Sequence, residues 1–133
     1  MNFDQYRAVP YVSGGRVLVT GLDCWGLVRH VLHHEFCHPL LDDFGLVQPR
    51  QYRCMTEGYR KSRALFEVCK PFAGALACCF QVGADGKDIF HHVGICISDN
   101  EVLHTSSKKG PQVMRVRDFK RVAKKVEFYC YVG

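Results

Sequence analysis

The sequence predicts an α+β fold, with an N-terminal helix that carries a cysteine and packs on an antiparallel β-sheet. Three observations predict it. Apolar residues fall at Cys24, Leu27, Val28, Val31 and Leu32, the i, i+3, i+4, i+7, i+8 stripe of a helix buried along one face. From Gly74 onward the pattern changes to short apolar or β-branched runs broken by turn residues, as in a sheet. The chain has 133 residues, 47% of them hydrophobic and 23% charged, which suits one domain over 1–133 with a real core.

The elements follow in order. Residues 1–8 are a short polar lead-in with a helical turn. Residues 10–16 form a turn-rich approach segment around Gly14 and Gly15. Tyr11 in that segment is either an ordinary half-buried aromatic or a hydroxyl reaching over the helix start. Asp23 stands where an N-cap belongs, and the helix runs from Cys24 to Phe36. His30, His33 and His34 lie near its end, where imidazoles suit the helix dipole. Residues 39–53 read as loop. Residues 56–69 read as a second, shorter helix ended by Pro71. Residues 75–80 are a strand, 83–87 a turn, and 90–97 with 101–105 a hairpin turned at Ser98-Asp99-Asn100. Residues 112–116 and 126–132 are further strands.

Composition excludes several classes. The net charge is +5 and the pI about 8.8, yet no aromatic-interleaved basic motif of a nucleic-acid module is present. No apolar run reaches the ~20 residues of a membrane span. The first residues have neither a basic region nor an apolar stretch, so no signal peptide is expected and the chain is expected to be made in the cytoplasm. The eight cysteines lack the dense pattern of a disulfide scaffold and read mostly as reduced core residues. His30 and His34 have chelating spacing, but there is no C-x-x-C pair, so neither a metal nor another cofactor is expected.

The chemistry points to Cys24. A thiol in the first turn of a helix sits at the positive end of the dipole, which favours the nucleophilic thiolate. Such a nucleophile needs a base. Strand parity puts Val93, Ile95 and Ile97 on one face and His92, Gly94 and Cys96 on the other, with His91 pointing away from His92. The small residues after His92 suit a helix packed closely on that face, which would bring His92 to the start of the Cys24 helix. His104 lies on the partner strand and is within cross-strand reach of the His92 ring, whose tautomer it would fix.

Together these residues resemble the NlpC/P60 family of papain-like cysteine peptidases. The motifs are Asp23-Cys24-Trp25-Gly26-Leu27-Val28, Gly74-Ala75-Leu76, His92-Val93-Gly94-Ile95 and His104, and the resemblance spans about residues 10–105. Tyr11 with Gly14-Gly15, and Trp25 after the cysteine, are similar to the phage and prophage tail-associated branch. The resemblance implies a papain-like fold and a triad of Cys24 as nucleophile, His92 as base and His104 as orienting residue. Tyr11 and the Cys24 N–H would hold the oxyanion, and Asp23 would contact the amino end of the substrate. Trp25 replaces the Ser common in cell-wall members and would reshape the substrate pocket. Ala75 replaces an Asp. The implied substrate is the peptidoglycan stem peptide, cut between γ-D-Glu and the diamino acid. Implied partners are phage tail proteins, with location in a virion tail or delivery to the periplasm. The alternatives are a structural tail component with little activity and a secreted antibacterial amidase effector.

Overall fold

The computed structural model describes residues 3–41 and 63–133. A short 3-10 turn, Asp4–Ala8, leads into a two-stranded ribbon of β1 (Arg16–Val17) and β2 (Gly21–Leu22). Helix α1 spans Cys24–Phe36, the predicted bounds, and Asp23 caps it as expected. A second 3-10 turn, Arg63–Leu65, precedes β3 (Phe66–Cys69). The remaining strands are β4 (Leu76–Val82), β5 (Asp88–Cys96), β6 (Glu101–Ser106), β7 (Gly110–Arg115) and β8 (Lys125–Tyr131), with a short helix α2 (Val116–Phe119) between the last two.

The six strands form one antiparallel sheet in the order β3-β8-β4-β5-β6-β7. β4 to β7 are a meander, and β8 returns to lie between β4 and β3. The fold is therefore α+β, one long helix against an antiparallel sheet. No described helix is long and apolar enough to cross a membrane.

Two expectations are corrected. The second helix, read over 56–69, is not helical at its end, because residues 66–69 are strand β3; residues 56–62 and the loop reading of 42–53 lie outside the described residues. Residues 66–69 carry Phe and Val and pair with β8 from Phe66↔Tyr131 to Cys69↔Phe128, so ladder bonds with a distant strand override the local charge alternation. The second correction concerns the packing face. Leu27, Val28, Val31 and Leu32 of α1 pack with Val93, Ile95 and Leu103, the face opposite His92. A stripe of large apolar side chains needs large apolar partners. The small-residue face of Ala77, Cys79 and Cys96 instead receives Val116, Phe119 and Phe128.

The end of α1 is unusual in its residue choice. Cys37 is left-handed, at φ 58°, and is the one non-glycine with positive φ among the described residues. Its N–H and that of His38 both donate to the Leu32 carbonyl, which closes the helix. Cys37 is exposed there. Cys37→Gly is expected to stabilise the fold by about 0.5–1 kcal/mol, the left-handed penalty less the entropy glycine loses, and to raise the thermal midpoint by a few degrees. A midpoint lower than that of the parent chain would refute this account of the cap.

Candidate active site

The site begins with a buried carboxylate. Asp23 is 0% exposed. Its Oδ1 accepts from the Gly26 N–H at 2.8 Å and from Arg16 Nη1 at 2.6 Å, and its Oδ2 accepts from the Gly14 N–H at 3.1 Å. One side chain thus caps α1, pairs with a cation and fastens the approach loop. The loop and helix also touch directly. A Cβ at Gly26 would run into the Gly15 carbonyl oxygen, so only glycine fits at this contact. Tyr11 makes a parallel bridge to Leu22, two residues before Cys24, so the approach segment does run beside the helix start. With both oxygens engaged and no exposure, Asp23 presents no surface to the amino end of a substrate, unlike the role the resemblance implies. Trp25 is 5% exposed and belongs to the hydrophobic core beneath α1 rather than to an open pocket wall.

Cys24 is 4% exposed. Its sulfur faces the backbone N–H groups of Val93 and Trp25, which favour the thiolate, as does the Arg16 charge. Burial works against them and is the largest effect; the Asp23 carboxylate adds to it, and the thiol is pushed up to about 12. Cys24 therefore rests as a neutral thiol. The reading of a readily ionised thiol counted the helix dipole but neither the desolvation nor the capping charge beside it.

On the far face of the sheet, His92 Nε2 and His104 Nδ1 lie 3.0 Å apart. The cross-strand partnership is thus real and direct. His104 sits beside Gly94, where a Cβ would meet Val102 Cγ1 at 2.6 Å and His104 Cβ at 3.1 Å. The missing side chain leaves the His104 ring free to lean toward His92. Phe119 of α2 closes the pair from outside, with ring centroids 6.1 Å from His92 and 5.1 Å from His104. Burial is the main reason both imidazoles are driven toward neutrality. It lowers His92 to about 3, helped by the His104 and His91 rings, and lowers His104 to about 4, helped by Lys109.

The structure therefore joins His92 to His104 and sets Cys24 against β5 at Val93, one residue along from His92. It keeps Tyr11 beside the helix start and closes Asp23 and Trp25 inside. Three residues were missed in the sequence. Arg16 had a signal, being the one cation between Arg7 and Arg29. Phe119 and Met114 had none: Phe119 reaches the histidines from α2, packed on the sheet, and Met114, whose sulfur lies 3.0 Å from His104 Nε2, reaches them through the register of β6 and β7. No group of His, Cys, Asp and Glu side chains among the described residues is arranged to hold a metal ion. No family model and no curated protein matches the chain.

The neutral histidines set a pH dependence. In the unfolded chain both rings take up protons below their ordinary 6.5; in the fold they resist protonation down to about 3 and about 4. The unfolded state then binds more protons, so the stability they contribute is complete above about pH 6.5 and is lost as pH falls toward 4. His30, His38 and His91 are shifted the same way by burial. The urea midpoint is expected to drop between pH 7 and pH 5, and a chain carrying both His92→Asn and His104→Asn is expected to lose part of that slope. An equal slope in that chain would mean that the two rings take up protons as readily in the fold as in the unfolded chain.

Proposed function

We propose that the protein is a cysteine hydrolase of the NlpC/P60 type, with Cys24 as nucleophile, His92 as base and His104 as the residue that orients His92. The observation that carries this reading is the His92 Nε2 to His104 Nδ1 hydrogen bond, made on the strand whose next residue, Val93, faces the Cys24 sulfur. A nucleophile, a base and a residue that orients the base are what acyl transfer through a thiol requires.

The other His92 nitrogen, Nδ1, takes the Cys24 proton as the sulfur attacks a carbonyl carbon. The oxyanion forms near the first-turn N–H groups, with the Cys24 N–H and the Tyr11 hydroxyl as donors. His92 returns the proton to the departing amine, which leaves an acyl-enzyme. Water, deprotonated by His92, then releases the acid and restores the thiol. The substrate class we assign is the peptidoglycan stem peptide, with the γ-D-Glu–diamino acid bond as the expected cut and phage or prophage tail association as the expected setting. A secreted amidase effector would use the same chemistry.

One observation favours a second reading. Cys24 is almost fully buried and its thiol is held neutral. A tail component that keeps the fold with little activity would tolerate both. Mass spectrometry of defined stem peptides after incubation with the protein separates the two. Hydrolysis is expected, and Cys24→Ala is expected to reduce it by about 1,000-fold or more while the fold persists. His92→Ala is expected to cost more activity than His104→Ala, because the base handles the proton and the orienter does not. Hydrolysis that survives Cys24→Ala at the parental rate would end the peptidase reading. No cleavage of any wall peptide by folded, reduced protein would favour the tail component.

A further inference from the structure

Met114 on β7 pairs with Val102, the neighbour of His104 on the same sheet face, and reaches diagonally across to the His104 ring. His104 Nε2 lies 3.0 Å from Met114 Sδ, and the same ring's Nδ1 lies 3.0 Å from His92 Nε2. A thioether has lone pairs and no proton to give. The hydrogen on the Met114 contact therefore belongs to His104 Nε2. A neutral imidazole carries one ring proton, so His104 Nδ1 is a bare acceptor. The hydrogen between the two rings must then come from His92 Nε2. By the same count, His92 Nδ1 is bare.

We propose that Met114 is a positioning residue whose thioether fixes the tautomers of both histidines and so keeps the His92 lone pair on Nδ1. The use of that lone pair as a base rests on the peptidase reading; the tautomer assignment does not. Neutrality of both rings, which the proton count requires, follows from their burial beside Phe119. Methionine suits this place because it fills a gap in an apolar layer and still offers an acceptor. Leucine would fill the same space without one, and each ring would then be free to hold its proton on either nitrogen. A residue that only donates would drive both protons to Nδ1 and remove the base.

The test is two-bond 1H–15N correlation NMR of the imidazoles at pH 7, with hydrolysis measured beside it. In the parent protein both His92 and His104 are expected to show a protonated Nε2 and a bare Nδ1. In Met114→Leu the two nitrogen shifts of His104 are expected to converge as the tautomers mix. Met114→Glu, which restores an acceptor, is expected to recover the parental pattern. In an active enzyme, Met114→Leu should lower kcat by about two- to ten-fold, in proportion to the fraction that keeps the productive tautomer, with KM nearly unchanged. A protonated Nδ1 on either ring of the parent protein overturns the proposal without any variant. So does an unchanged His104 pattern in folded Met114→Leu. A parent protein that shows the assigned tautomers and hydrolyses nothing leaves this proposal standing and removes the peptidase reading. An active parent protein with reversed tautomers does the opposite.

Discussion

The Asp23 carboxylate organises the helix start, and the placement of Cys24 depends on it. A carboxylate taken wholly out of water is tolerated only when its oxygens are satisfied. Here a cation, a loop N–H and a helix N–H do this together. None of the three partners is interchangeable with bulk solvent, so loop, ribbon and helix are locked as a unit. The same charge has an opposing effect. It lies beside Cys24 and resists ionisation of the thiol that it positions. The helix start is thus tuned for geometry first, and the thiol is held neutral.

The sheet puts its two faces to different uses. Its inner face is committed to the apolar stripe of α1, and its other face holds the two imidazoles under Phe119. Strand β5 serves both. The Val93 N–H addresses the Cys24 sulfur, and the neighbouring His92 ring pairs with His104. Gly94 makes the second half of this possible, because any side chain there would collide with Val102 and His104. Small residues along this face are therefore space kept for rings rather than a bed for the helix.

Much of this was legible in the sequence wherever cause and effect were local. The helix bounds, the Asp23 cap and the hairpin that pairs His92 with His104 all follow from periodicity, capping chemistry and cross-strand distance. Strand β3 was not legible, since its pairing partner lies more than sixty positions away, from Phe66 to Tyr131. The face chosen by α1 was not legible either. Parity separates two faces but does not say which of them the helix covers. The protonation of Cys24 was misread because a dipole is visible in a sequence, whereas burial and a neighbouring carboxylate compete with it only in three dimensions. The Met114 contact depends on a diagonal across two strands, which no spacing rule in one strand reveals.

Strand order carries a consequence for how the molecule is assembled during synthesis. β4 to β7 follow one another in the chain and pair as neighbours, so each can join the growing sheet as it leaves the ribosome. β8 comes after all of them yet occupies an interior place, between β3 and β4. Until residues 125–131 have been translated, β3 has no neighbour among the described strands and one side of β4 lacks its partner, the kind of surface on which nascent chains associate. The histidine pair, by contrast, belongs wholly to the early meander. A stalled or truncated translation product would thus carry an assembled imidazole dyad on an open sheet, prone to capture by chaperones or by its own copies.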